Sequence, residues 1–153
     1  MSLKRKFILS CILILLVTGT AKIWSAFGQA KILELSDPVF GVRFGHLFLS
    51  VGLLEIAAAM FCFFVVREVT GLVIIIWLGS CFLVYRAALH WVGWGSHCPC
   101  LGTLSDALKI SPHVADLIMV VLLSYMVSGS FWLLVLSIAR NTHARSFLNR
   151  FTH

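Results

Sequence analysis

Four long apolar runs, separated by short polar segments, make up most of the sequence. They cover residues 7–27, 46–66, 69–91 and 114–139. A helix needs about 20 mostly apolar residues to cross the hydrocarbon core of a bilayer, and each run is long enough. Hydrophobic residues make up 60% of the chain and charged residues 12%, which is about half the charged share of soluble domains. The pattern predicts an all-α membrane protein in which residues 1–153 form one four-transmembrane-helix bundle.

The first apolar run is predicted to stay in the protein as a transmembrane helix. Basic residues at positions 4–6 precede it, as they precede the apolar part of a secretory signal peptide. However, the run continues past Lys22 to membrane-spanning length, and no small-x-small cleavage site precedes a polar segment. The segment after this run alternates charged and apolar residues. It predicts a short amphipathic piece at the membrane surface, ending at Asp37-Pro38.

Helix-start signals and a basic tail surround the fourth run. Thr103 and Asp106 have the spacing of a capping box, with Asp in place of Glu, and predict a short surface helix that begins there. Ser111 and Pro112 are typical of an N-cap and a first helical position, so they mark the start of the fourth helix. The tail, residues 140–153, combines apolar residues and arginines at helical spacing. It predicts a basic amphipathic helix on an anionic membrane surface.

Basic residues are distributed unevenly between the two predicted membrane sides. Four spans place both termini on one side, and that side carries Lys4, Arg5, Lys6, Arg67, Arg140, Arg145 and Arg150. The opposite side carries Lys31, Arg43 and Lys109. Because Lys and Arg are enriched in cytoplasmic segments, the asymmetry predicts cytoplasmic termini. The net charge of +6 forms no basic stripe on a soluble face, so the predicted partner is the lipid bilayer and not nucleic acid.

Candidate chemistry lies in the connection between the third and fourth runs. His97 directly precedes Cys98, and a single proline separates Cys98 from Cys100. A thiol beside an imidazolium ionises more readily, so Cys98 is the candidate attacking thiolate and Cys100 the resolving thiol. A disulfide across one residue closes a very small, strained ring that is easily reduced. With cytoplasmic termini the loop faces the periplasm or its equivalent, where disulfides persist. These residues therefore predict a thiol–disulfide site in which His97, Cys98 and Cys100 are catalytic.

Two other interpretations of this loop stay open. The two cysteines can form a local structural disulfide or an adventitious metal-binding pair. A copper or zinc site can also combine the histidine and both cysteines with another histidine, but the spacing matches no strong metal signature, and no metal site is predicted. Cys11, Cys62 and Cys81 lie within apolar runs and are predicted to act as small hydrophobic residues.

Charged residues also fall within three predicted spans, namely Lys22, Glu55 and Arg86. Each costs on the order of 2.5–3.5 kcal/mol at mid-bilayer, so the side chains are expected to face the bundle interior and pair. The helical rise places Lys22 and Arg86 about 8 Å, and Glu55 about 14 Å, below the side of the cysteine loop. They predict a buried, net positive polar pocket that holds a quinone headgroup or a partner's polar group and favours thiolate above it. Alternatively, Lys22 snorkels to the surface while Glu55 and Arg86 form a structural pair.

Several of these features together resemble one group of membrane proteins. The features are Gly19-Thr20-Ala21-Lys22, Glu55, Arg86 and Cys98-Pro99-Cys100-Leu101-Gly102. Over about residues 5–140 the chain resembles the DoxX-like membrane proteins, and within them the methylamine-utilisation accessory (MauE-like) family. The resemblance implies a four-helix bundle in the bacterial inner membrane. It also implies a role in disulfide formation or maturation of an extracytoplasmic partner, which in the family is a disulfide-rich dehydrogenase subunit.

The predicted function is that of a membrane thiol–disulfide redox protein. Quinone-coupled thiol oxidases of the DsbB and vitamin K epoxide reductase types resemble it as four-helix bundles, but they use two cysteine pairs. This chain has one pair on the predicted outer side, so a two-pair relay is not available to it. One alternative is a non-enzymatic small subunit or assembly factor of a membrane complex. Another is a small transporter or metal-handling protein that uses the charges within the membrane.

Overall fold

A computed structural model describes residues 2–28, 31–64, 67–93 and 111–151. Among these residues it contains four long helices, which are α1 (Leu3–Ala26), α2 (Phe44–Phe64), α3 (Glu68–Trp91) and α4 (Pro112–Phe151). Each is long and apolar enough to cross a membrane, in α4 over Val114–Ala139. The prediction of a helical protein with four membrane-length helices is confirmed, and these helices indicate a multi-pass membrane protein. The side of the membrane on which the termini lie stays a prediction.

Local signals in the sequence account for the helix ends. The Ser2 hydroxyl accepts the backbone N–H of Arg5 at 3.2 Å and so caps the start of α1. At the end of α3, Gly93 takes a positive φ of 72°, a conformation that glycine adopts without steric cost. The Ser111 carbonyl accepts the N–H of Ala115 at 3.1 Å, so α4 begins at the predicted residue.

The helices run alternately up and down. α1 packs most extensively against α2, and α3 against α4. The Ser2 hydroxyl donates to the Glu68 carboxylate, which places the starts of α1 and α3 together. Further along, the Phe7 and Tyr125 rings lie 5.2 Å apart, so the first turns of α1 meet the middle of the membrane-length part of α4. We use the term loop end for the end of the bundle where α1 and α3 finish and where α2 and α4 begin.

The opposite half of the bundle is a tightly packed apolar core. Its members recur every three, four or seven residues along each helix, which puts them on one face. They include Ile8, Cys11, Leu15, Ala59, Cys62, Leu72, Ile75, Leu78, Met126 and Leu133. The outward faces carry exposed apolar side chains such as Trp77 and Trp132, which suit contact with lipid.

The connection between α1 and α2 forms a compact turn at the loop end. It contains a short 3-10 helix, Lys31–Glu34, and an antiparallel bridge between Ser36 and Arg43. Leu33 is buried against Phe44, whereas Leu35, another apolar residue of this segment, is half exposed. The segment is therefore held partly by apolar burial. We call residues 36–43 the 36–43 turn.

Two further sequence predictions concern the flanks of α4. The short surface helix expected to begin at Thr103 lies outside the described residues. The helix expected in the tail is present, but as a continuation of α4 that ends at Phe151. Its placement along a membrane surface stays a prediction.

Candidate functional site

A buried ion pair joins α1 to α2 near the loop end. The Lys22 Nζ lies 2.6 Å from Glu55 Oε1, and the two side chains are 7% and 2% exposed. The other carboxylate oxygen, Oε2, accepts a hydrogen bond from the Thr18 hydroxyl at 3.1 Å. The Lys22 ammonium also lies 5.5 Å from the centroid of the Phe82 ring, within cation–π range. Lys22 is therefore buried and paired, and the interpretation in which it snorkels to the surface is wrong.

Two glycines allow this ion pair to form. A Cβ added to Gly52 would lie 2.8 Å from the Gly19 carbonyl oxygen, and one added to Gly19 would lie 3.0 Å from the Gly52 carbonyl oxygen. Helices approach this closely in membranes where small residues occupy the crossing. Gly19 precedes Lys22 by one turn and Gly52 precedes Glu55 by one turn. The crossing thus brings the ammonium and the carboxylate within direct contact distance.

A second ion pair joins α3 to α4 at the same end. An Arg86 guanidinium nitrogen contacts an Asp116 carboxylate oxygen, and the two side chains are 17% and 31% exposed. Arg86 therefore pairs with Asp116, and the alternative pairing with Glu55 is wrong. Asp116 was not among the residues selected from the sequence, although it lies inside the predicted fourth span. The signal in the sequence is its position, because Asp116 is the acidic residue of the predicted fourth span.

A third carboxylate attaches the 36–43 turn to α3. Asp37 is 1% exposed, and its side chain accepts the backbone N–H groups of Val39 at 2.8 Å and Phe40 at 2.7 Å. The Tyr85 hydroxyl donates to the second carboxylate oxygen. The Phe40 and Tyr85 rings stack with centroids 5.7 Å apart. From the sequence, Asp37 is predicted only to end the amphipathic segment, because an Asp-Pro pair does not indicate which distant hydroxyl the carboxylate will meet.

A cavity of about 260 Å³ lies between α2, α3 and α4 at the loop end. Five aromatic rings contribute to its walls, from Phe40, Phe44, Phe48, Phe82 and Tyr85. Aliphatic and sulfur-containing side chains complete them, from Leu47, Val51, Leu54, Cys81, Met119 and Leu123. Lys22 and Arg86 are the basic residues of the lining. The cavity is therefore an apolar, aromatic chamber with two cationic side chains.

This chamber differs from the polar pocket expected from the sequence in two respects. Lys22 and Arg86 both line it, but Glu55 does not, because the close α1–α2 crossing holds that carboxylate between the two helices. The chamber is also not net positive, because Glu55 accompanies Lys22 and Asp116 accompanies Arg86. The expectation of a net positive pocket is therefore wrong, and whether Cys98 is a thiolate stays a prediction.

The three predicted catalytic residues, His97, Cys98 and Cys100, lie outside the described residues. The ends of the segment that contains them are described. α3 ends at Trp91 and α4 begins at Pro112, so the segment starts and finishes at the loop end, where the cavity also lies. Whether the sulfur atoms approach the cavity stays a prediction.

The remaining cysteines divide into two kinds. Cys11 and Cys62 are buried in the apolar core, as expected for small hydrophobic residues. Cys81 is an exposed free thiol and lines the cavity, a position that its apolar sequence context does not reveal. Within the described part of the chain, no group of three His, Cys, Asp or Glu side chains is arranged to hold a metal ion.

Comparisons of this chain with protein families, with curated proteins and with solved structures find no match.

Proposed function

We propose that this protein is a membrane thiol–disulfide redox protein that assists disulfide formation or maturation of an extracytoplasmic partner. The observation that carries the proposal is the His97-Cys98-Pro99-Cys100 sequence in the connection between two membrane-length helices. Two thiols separated by one residue make a labile disulfide, and labile disulfides take part in exchange. The cellular location that goes with this proposal is the bacterial inner membrane, with the cysteine loop on the periplasmic side.

The architecture at the loop end supports this proposal. The Arg86–Asp116 ion pair ties the last turns of α3 to the first turns of α4, which are the two ends of the cysteine segment. The Tyr85–Asp37 hydrogen bond holds the neighbouring 36–43 turn against the same part of α3. The two helices that flank the cysteine segment are therefore joined to each other, and to the 36–43 turn, at the loop end.

The exchange uses the two sulfur atoms in sequence. The Cys98 thiolate attacks one sulfur of a partner disulfide, that S–S bond breaks, and a mixed disulfide forms while the released partner thiolate takes up a proton. The Cys100 thiolate then attacks the Cys98 sulfur, which frees the second partner thiol and leaves a Cys98–Cys100 disulfide. The partner gains two electrons and two protons, and this chain loses them. The same steps in reverse oxidise a partner dithiol.

The test is to trap the mixed disulfide. In Cys100→Ala the resolving thiol is missing, so the adduct between Cys98 and the partner should persist. Membranes are quenched with acid and N-ethylmaleimide and separated on non-reducing gels. The expected result is a higher-mass species that contains this chain and disappears with dithiothreitol. The matched control is the Cys98→Ala/Cys100→Ala double variant, in which the species should be absent.

A negative result distinguishes this proposal from the main alternative. If Cys100→Ala gives no adduct and the double variant still matures its extracytoplasmic partners normally, the thiol proposal is wrong. A non-enzymatic subunit or assembly factor predicts that outcome, together with stable co-purification of a membrane partner. The extensive exposed apolar helix faces suit such a role as well as they suit lipid.

A further inference from the structure

The cavity at the loop end combines features that thiol exchange with a protein partner does not require. Aromatic rings surround it, two cationic side chains line it, and its mouth reaches the outer surface of the bundle. We propose that it binds an isoprenoid quinone, that is, a flat ring with carbonyl oxygens and an apolar tail. The binding claim rests on the cavity alone. The role of the quinone as electron acceptor rests on the proposed function.

The size and lining of the cavity fit one ring. Its volume of about 260 Å³ is close to the lower limit of about 300 Å³ for drug-sized ligand sites, so it accepts a single ring headgroup more readily than a whole lipid. Aromatic side chains stack on flat rings at centroid distances of about 4.5–7 Å. Phe44, Phe48 and Phe82, together with the stacked Phe40–Tyr85 pair, supply aromatic surfaces to the cavity wall.

The mouth of the cavity gives an apolar tail a path into the lipid. Leu54 on α2 and Cys81 on α3 both line the cavity and are exposed on the outside of the bundle. Both lie within membrane-length helices, so the surface around them faces hydrocarbon. A ligand that is dissolved in the membrane can therefore enter from the side, with its ring inside and its tail between α2 and α3.

The charges of the lining favour a neutral ligand over an anionic one. Lys22 is accompanied by Glu55, and Arg86 by Asp116, so the two cations do not give the cavity an excess positive charge. A phosphate group would find no net charge to neutralise it. A quinone is neutral and needs no counter-charge. The cavity wall is formed almost wholly by apolar side chains, so it suits a quinone ring better than a phospholipid headgroup.

A quinone accepts the same number of electrons and protons as the two loop thiols release. When the Cys98 and Cys100 thiols form a disulfide they release two electrons and two protons, and a quinone that accepts both becomes a quinol. This step regenerates the Cys98–Cys100 disulfide after that disulfide has oxidised a partner dithiol. It explains how one cysteine pair can act repeatedly without a second pair.

Cys81 provides the reporter for the test. The Cys98→Ser/Cys100→Ser variant of the full-length protein is purified in detergent, where Cys81 is the exposed thiol among the described cysteines and Cys11 and Cys62 are buried. The rate of N-ethylmaleimide labelling of Cys81 is measured with and without decylubiquinone. If the quinone occupies the cavity, the rate falls by a factor of one plus the ligand concentration over Kd, which is about tenfold at ten times Kd. Because the reporter lacks both loop cysteines, the result does not depend on thiol exchange.

Two neighbouring substitutions on α2 make the test specific. Leu54→Trp fills the mouth of the cavity and should abolish the protection of Cys81. Leu53→Trp changes an exposed neighbour that does not line the cavity, and it should leave the protection unchanged. A short-chain phosphatidylglycerol is tested in parallel and should not protect. An azido-quinone should in addition form a photoadduct on the α3 segment that contains Cys81 and Arg86.

Three outcomes would overturn the inference. Cys81 labelling that is insensitive to decylubiquinone, together with no photoadduct on α3, means that the cavity does not bind quinone. Equal protection by phosphatidylglycerol means that it is a lipid site. Equal effects of Leu53→Trp and Leu54→Trp mean that the quinone acts outside the cavity. None of these outcomes bears on the mixed-disulfide test, so the two proposals fail separately.

Discussion

At the scale of single residues, the Lys22–Glu55 ion pair allows two charged side chains to be buried at the loop end. A charge in hydrocarbon is costly, and the pair avoids that cost only because the ammonium and the carboxylate are in direct contact. Thr18 supplies a hydrogen bond to the second carboxylate oxygen, so both oxygens of Glu55 have a partner. Removing one member leaves the other charge buried and uncompensated, which is more damaging than removing both.

Glu55→Gln is therefore predicted to destabilise the protein strongly. The buried ammonium of Lys22 loses its counter-charge, at an expected cost of about 3–5 kcal/mol in the free energy of unfolding. Unfolding of the purified protein in detergent, followed by circular dichroism against added denaturant, measures the change. Glu34→Gln is the control, because Glu34 is exposed and its substitution should stay within about 0.5 kcal/mol of the parent.

The double variant Lys22→Met/Glu55→Gln tests whether the two side chains interact. It removes the unpaired ammonium, so it should recover most of the stability that Glu55→Gln loses. If the double variant is as unstable as the sum of both single variants, the two groups do not interact as described. Equal stability of Glu55→Gln and the parent protein would also contradict the burial of this pair.

At the scale of elements, the crossing of α1 and α2 determines where the buried charges lie. Gly19 and Gly52 bring the two helix backbones into near contact, and the polar residues one turn further along each helix then face each other. Without a hydrophobic driving force in lipid, such close packing is a main source of helix association. The contact between these two glycines is therefore both structural and a condition for the ion pair.

Gly52→Ala is predicted to separate α1 from α2. The added Cβ would lie 2.8 Å from both the Gly19 carbonyl oxygen and Ile23 Cγ1, so the helices must shift, at a cost of about 1–3 kcal/mol. Gly45→Ala on the same helix is the matched control. Its Cβ would meet Leu33 at 3.5 Å, an ordinary contact, so stability should stay the same or rise by up to about 1 kcal/mol.

The two glycine variants are compared by thermal unfolding in the same detergent. Gly52→Ala should have the lower midpoint, and Gly45→Ala should match or exceed the parent. An increase in stability for Gly52→Ala similar to that for Gly45→Ala would show that the helices do not cross at this glycine.

At the scale of the whole molecule, the two halves of the bundle have different compositions. The half away from the loop end is filled by the apolar core and contains no buried ion pair among the described residues. The loop end holds both ion pairs, the buried Asp37 and the cavity. Apolar packing therefore holds one half together, and the residues proposed to bind a ligand lie in the other half.

The orientation of this polarised bundle is predicted to place the loop end outside the cell. Single-cysteine variants of a cysteine-free background are labelled in intact cells with a membrane-impermeant maleimide. A cysteine at position 98 should be labelled, because the basic residues near both termini favour the cytoplasmic side for the other end. Ser2→Cys and Ser146→Cys are the controls and should react only after the cells are opened.

The opposite labelling pattern would place the cysteine loop in the reducing cytosol. In that compartment a labile disulfide does not persist, and the proposed function would be untenable.

The sequence by itself determined the number of membrane-length helices and their limits to within a few residues, except that α4 continues through the tail to Phe151. It did so because spanning length, apolar composition and helix caps are local properties, such as the Ser111-Pro112 start of α4. The same reasoning indicated that Lys22, Glu55 and Arg86 must be buried with partners, because lipid penalises any isolated charge. It did not show which partners, since pairing depends on the relative rotation of helices far apart in the sequence.

The tertiary structure alone decided those pairings and the character of the cavity. The Gly19–Gly52 crossing set Lys22 against Glu55, which left Arg86 to Asp116 and made the lining neutral instead of positive. Docking of the 36–43 turn on Tyr85 added the aromatic wall that no local pattern predicts. Each of these results depends on contacts between different helices and loops. Such contacts are set by how the helices pack, and the order of residues within one segment does not determine that packing.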